Sequence, residues 1–207
     1  MRAVYIASYG ETGSHDLTAA SISMPIHERK RIQSNMRQEI GRELYFKDIS
    51  YENVKQPYNA YKLFQKEPEM SVSVIHVFRF YRAHYCKVVF MLALSEYEKG
   101  HEERLRVYIP FDSNKGYLRS LNKMAERKKV DISFEEIRYE ESCFQRLASI
   151  IAGCVFYHDR DDYFNNIGKT GKAQLTSYIY ASKKDANKFI FLQPKKFNNK
   201  KRKHLVK

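Results

Sequence analysis

Apolar positions along the chain switch repeatedly between two periods. Residues 2–7 predict a first strand, and residues 16–26, "DLTAASISMPI", predict a second. The loop between them carries Gly10 and Gly13. Over residues 27–44 the period lengthens. Ile32, Met36, Ile40 and Leu44 recur every four residues among charges, which predicts an amphipathic helix. Residues 48–57 read as a loop ending at Pro57, and residues 58–66 as a short helix. "SVSVIHVFRF" (71–80) is rich in β-branched and aromatic residues and predicts a strand. Residues 83–100 predict a helix stopped by Gly100, and 104–112 a strand ending at Asp112. An amphipathic helix follows over 115–129, and a further strand lies within 130–141. "SCFQRLASIIAGCVFYH" (142–158) predicts an apolar helix N-capped by Ser142. Beyond residue 160 the pattern weakens. "QLTSYIYAS" and "KFIFLQP" add one or two strands or a short helix.

Interleaved strands and helices make a mixed α/β sheet covered by helices the economical fold. Such a sheet presents its functional groups at the carboxyl ends of strands. Two strand ends therefore matter most, Ala7–Glu11 and Asp112.

Composition narrows the class. The 207 residues are 43% hydrophobic and 14% aromatic, enough for one globular core. No run approaches the roughly 20 apolar residues of a membrane span, and the N-terminus lacks the apolar centre of a signal peptide. Cys86, Cys143 and Cys154 show no metal-binding spacing and read as reduced thiols of a cytoplasmic protein. Net charge is +13, and it is unevenly spread. Residues 167–207 carry 12 Lys/Arg and one acid, Asp185, whereas the first 166 residues are nearly neutral. Within the last fourteen, Lys195, Lys196, Lys200, Lys201, Arg202 and Lys203 form a basic arm suited to a polyanion, nucleic acid foremost.

Candidate chemistry rests on carboxylates. Hydrolysis of phosphodiesters by two divalent ions needs several acids from separate elements, because hard ions such as Mg²⁺ prefer oxygen ligands. Asp112 closes an apolar strand, Glu43 lies beside the apolar stripe of its helix, and Glu140 and Glu141 end the last strand. Gln145, Ser149 and Gly153 form a small, polar face on the apolar helix, either a cleft wall or a close-packing face. The seven histidines are scattered, and no nucleophile elbow, P-loop or dinucleotide fingerprint is present. "FYHDRDDYF" (156–164) mixes aromatics with charge and is a candidate contact for a base or phosphate.

The order of these segments resembles the bacterial and phage family filed as domain of unknown function 3800, whose members look ribonuclease H-like. "YIASYG" stands for its opening Asp-Glu-Ser-Gly strand end, and "RELYFKDIS" for its glutamate motif, with Glu43. "VYIPFDSN" supplies the middle aspartate as Asp112, and "IRYEES" puts Glu141-Ser142 in place of Asp-Ser. "FQRLASIIAG" matches the closing helix over Gln145, Ala148, Ala152 and Gly153. The resemblance covers about residues 2–158. It implies a ribonuclease H-like mixed sheet flanked by helices over residues 1–162 and a basic C-terminal extension over 163–207. It also implies a nuclease using Mg²⁺ or Mn²⁺, with Glu43 and Asp112 as metal ligands and Glu141 completing the site.

Two departures fall on that site. Ala7 stands where the family has its first Asp, and Ser149 where the closing helix has its Asp. One reading is an active metal-dependent nuclease in which Ala7 is an introduced change and Glu140, Glu141, Asp159 or Asp161 replaces the helix acid. Another is a nucleic-acid-binding or adaptor protein that does not cut. A third is a protein-interaction module whose arm binds an acidic partner.

Overall fold

The computed structural model describes residues 1–10, 16–40, 45–77, 84–100, 104–110, 116–138, 142–158, 160–181 and 189–192. Three antiparallel strands open the fold: β1 (Arg2–Tyr9), β2 (Leu17–Pro25) and β3 (Ser71–Val77). Between β2 and β3 lie α1 (Arg29–Glu39), a 3₁₀ turn (Phe46–Asp48) and α2 (Lys55–Lys66). Then come α3 (Tyr85–Gly100), β4 (Leu105–Pro110), α4 (Gly116–Lys128), β5 (Ile132–Ile137), α5 (Cys143–His158), α6 (Asp161–Asn166), α7 (Gly171–Ala181) and β6 (Phe189–Leu192). The described strands form one six-stranded sheet in the order β5-β4-β1-β2-β3-β6. β1 is antiparallel to β2 and parallel to β4, β4 is parallel to β5, and β6 lies parallel beside β3.

Both faces of this sheet are covered, so β1 is apolar and buried from Ala3 to Ala7. Ala3, Tyr5 and Ala7 of β1 face a core built with α5, α1 and α2. Val4 and Ile6 face a second core built with α3 and α4. α5 lies across β1 and β2 and is buried from Cys143 through Phe156. Ser142 caps it as its sequence predicts, accepting a hydrogen bond from the Gln145 N–H at 3.2 Å. At the end of α4, Lys129 adopts φ +53°, and the Val130 N–H reaches back to the Ala125 carbonyl at 3.2 Å. This is a C-terminal cap made without glycine.

Several boundaries differ from the sequence reading. α1 ends at Glu39 instead of running to residue 44, and residues 41–44 lie outside the described set. α2 begins at Lys55, inside the expected loop. Pro57 is tolerated because it sits in the first turn, where its missing N–H has no intrahelical acceptor. "QLTSYIYAS" falls in α7 despite its β-branched and aromatic residues. Ala173, Thr176 and Ile179 share one face and pack inward, and that packing outweighs local propensity. "KFIFLQP" contributes β6. Thus α7 packs on α5, and β6 joins the sheet, from within the stretch expected as a basic extension.

Candidate functional site

The carboxyl half of β1 lies beneath α5. Ala7 pairs with Ala20 of β2 and is 0% exposed. Its face is shared by Tyr5 below and Tyr9 above, because alternate strand residues point the same way. Tyr5 stacks on Tyr108 of β4, with ring centroids 4.8 Å apart and planes at 16°, and tilts against Phe144 at 5.0 Å. The Arg29 guanidinium caps this stack, 4.8 Å from the Tyr108 centroid, and donates to the Tyr108 hydroxyl at 2.9 Å. Burial pushes the Tyr5 phenol well above the ordinary tyrosine range, against the opposing pull of Arg29.

On the other side, Tyr9 meets Phe46 edge-on at 5.1 Å and Phe156 at 5.4 Å. Phe46 can lie on α5 only because residue 153 is glycine. A Cβ there would fall 2.3 Å from the Phe46 ring. The small face of α5 is therefore a packing face at Gly153. One turn back, Ser149 is 7% exposed. Gln145 is fully buried; its Nε2 donates to the Ile6 carbonyl, and its Oε1 has no hydrogen-bond partner among the described residues. Two buried thiols complete the α5 layer. Burial raises Cys143 to about 11 against the pull of Arg146 and Arg37, and raises Cys154 to about 12. Neither is a thiolate at neutral pH, so neither is a nucleophile.

Divalent-ion chemistry needs anionic oxygen here, and the described residues do not fit it. Ala7 offers no donor atom, Ser149 a neutral hydroxyl and Gln145 one neutral carbonyl oxygen. Among the described residues no group of three His, Cys, Asp or Glu could hold a metal ion. Glu43, Asp112, Glu141, Glu140 and Asp159 lie outside the described residues, as do Lys195, Lys196, Lys200, Lys201, Arg202 and Lys203.

Two further features escaped the sequence reading. The first is a cleft of about 480 Å³ between α2, the turn before it and α7, lined chiefly by Tyr51, Glu52, Lys55, Tyr58 and Gln174. The signal was present in "YENVKQPY", a stretch read as loop that mixes aromatic and charged residues. The second is a buried polar seam on the opposite face of the sheet. Ser73 of β3 donates to Glu96 of α3, and Lys99 Nζ reaches Ser73 Oγ at 2.6 Å and Glu96 at 3.1 Å. "FYHDRDDYF" is partly occupied internally: Arg160 lies 4.5 Å over the Phe156 ring and pairs with Asp16 at 3.6 Å, while His158 stacks on Tyr180.

No family model and no curated protein matches the chain. Among solved structures, ribonuclease HII from Archaeoglobus fulgidus, in its complex with PCNA, is similar, with a TM-score of 0.51 at 14% identity. The match covers 88% of this chain and 90% of that one. No helix among the described residues is long and apolar enough to cross a membrane. The strand order, three antiparallel strands followed by two parallel ones, and this likeness give the chain a ribonuclease H-like α/β fold.

Proposed function

We propose that the chain is a nucleic-acid-binding protein on a ribonuclease H-like fold that does not itself hydrolyse phosphodiesters. One observation carries the reading: Ala7, where an acid is expected at the end of β1, is sealed at 0% exposure between α5 and two aromatic stacks. A carboxylate at that place would be buried under α5 against the sheet, which costs free energy unless the charge is paired.

Binding follows from charge. The arm's Lys195, Lys196, Lys200, Lys201, Arg202 and Lys203 would contact phosphates and release counterions. Affinity then falls with salt, and removing six such contacts reduces the log–log slope by about 4 for a single strand. Truncation before Pro194, with affinity measured between 50 and 200 mM salt, tests this; an unchanged slope removes the arm from the account. The ribonuclease HII neighbour was captured with the protein PCNA, and a protein partner for this chain is a parallel expectation.

A second reading is hydrolysis with Mg²⁺ or Mn²⁺ through Glu43, Asp112 and Glu141. The unpartnered Oε1 of Gln145 favours it, since a buried neutral oxygen invites a donor or cation. An electrophoretic cleavage assay with Mn²⁺, run on this chain and on Ala7→Asp, separates the readings. Cleavage by the unaltered chain overturns the proposal. Cleavage by the Asp form alone makes position 7 the switch.

A further inference from the structure

The cleft between α2 and α7 is built from preorganised aromatic walls. Tyr51 is 49% exposed, yet its hydroxyl donates to the Gly168 carbonyl at 2.9 Å, which fixes the ring. The turn that carries it is tied twice by Asn53, whose Oδ1 accepts from the Ser50 N–H at 2.8 Å and whose Nδ2 donates to the Asp48 carbonyl at 2.9 Å. The same turn is pressed onto α7. A Cβ at Gly171 would fall 2.3 Å from the Ser50 carbonyl oxygen, so only glycine allows this approach. The second wall, Tyr58, rests on Tyr178 with centroids 4.2 Å apart, and Lys62 Nζ lies 4.5 Å over the Tyr58 ring.

The cleft lining carries one cation, Lys55, beside one acid, Glu52. Lys62 follows on α2, and Lys169 precedes α7. A volume of about 480 Å³ lies within the range of small-ligand pockets, roughly 300–1,000 Å³. That suits one nucleotide and is far too small for a duplex. Glu52 and Gln174 at the rim supply an acceptor and a donor–acceptor amide for a base edge.

Building on the nucleic-acid reading above, we infer that this cleft takes one unstacked nucleotide of a single-stranded nucleic acid. The base stacks on Tyr51, and Lys55 meets the adjoining phosphate. This gives the protein a single-strand preference that a basic arm alone cannot supply, because the arm contacts only phosphates.

The chain has no tryptophan, so Tyr51→Trp in the full chain is a single fluorescent reporter at the cleft mouth. It should be quenched by a twelve-nucleotide single strand and much less by a twelve-base-pair duplex. Separately, Tyr51→Ala and Lys55→Glu should each weaken single-strand binding about tenfold, while duplex binding changes less than twofold. If the single strand binds the chain but neither variant weakens it and the reporter is silent, the cleft assignment is overturned while the nucleic-acid reading stands. Equal loss on both substrates also overturns it, since the cleft would then be a general phosphate contact. Quenching by adenosine monophosphate without any binding of the strand would overturn the strand as occupant. Absence of any nucleic-acid binding by the unaltered chain overturns both readings.

Discussion

The sheet is buried on two faces with opposite chemistry. Under α5, at the end of β1, Ala7, Gln145 and Ser149 are neutral and lie among the aromatic pairs of Tyr5 and Tyr9. Under α3, at β3, a carboxylate is buried: Glu96 is 3% exposed and is held by Ser73 and by Lys99, whose side chain is 30% exposed. A buried carboxylate survives only when its hydrogen bonds and charge are both answered. The α3 seam answers them, with one hydroxyl and one ammonium within reach. At the β1 end, Ala7, Gln145 and Ser149 carry no charge of their own. The chain therefore buries a carboxylate where the fold answers it, and carries a neutral alanine at the end of β1.

That contrast can be broken by exchanging the chemistries. Ala7→Asp places an uncompensated carboxylate in the neutral region and should cost about 4 kcal/mol. For a chain of this size that lowers the melting temperature by roughly 10 °C. An unshifted melt, or one restored by Mn²⁺, would mean the β1 end already accommodates charge. In the seam, Glu96→Ala leaves Ser73 and Lys99 without their acceptor and should cost about 3 kcal/mol by urea denaturation. Glu96→Gln, which keeps an acceptor for Ser73, should cost less; equal losses would show that the charge, and not the acceptor, holds the seam.

Tight packing under α5 is tested by Gly153→Ala, expected to cost about 2 kcal/mol because its Cβ meets Phe46. Phe46→Leu should recover part of that loss in the double variant, and simple additivity would deny the contact. The buried thiols give a gentler probe. Folded Cys143 and Cys154 hold their protons to about 11 and about 12, whereas unfolded thiols lose theirs near 9. Their contribution is complete below pH 9 and declines as pH rises through about 11. Stability measured from pH 8 to 11 should fall, and fall less in Cys143→Ala. Smallest of all is Gln145→Leu. It removes the bond to Ile6 but also an unpartnered buried oxygen, so the net cost should be about 1 kcal/mol or less. A larger loss would assign Gln145 Oε1 a partner that the described residues do not contain.

Much of the fold was legible because period and capping agree locally. The alternation of β3, the stripe of α4 and the Ser142 cap of α5 each predicted an element that is present. α7 was not legible. Its sequence left strand and short helix open, and the helix that forms packs Ala173, Thr176 and Ile179 inward. At the site, that residues 7 and 149 carry no carboxylate was readable directly from identity. What sequence could not supply was the aromatic closure. Phe46 lies more than a hundred residues from Gly153, and nothing local connects them. The serines of "SVSVIHV" were readable as one strand face, but their partner Glu96 arrives from another element. The cleft likewise joins α2 to a helix well over a hundred residues later.

The most direct test of the central claim is one gel. The full chain is incubated with an end-labelled single-stranded oligonucleotide and Mn²⁺, and the same sample is run under native and denaturing conditions. The account predicts a shifted band on the native gel, weakened by salt, and intact oligonucleotide on the denaturing gel. Shortened product that grows with time and disappears with chelator would contradict it.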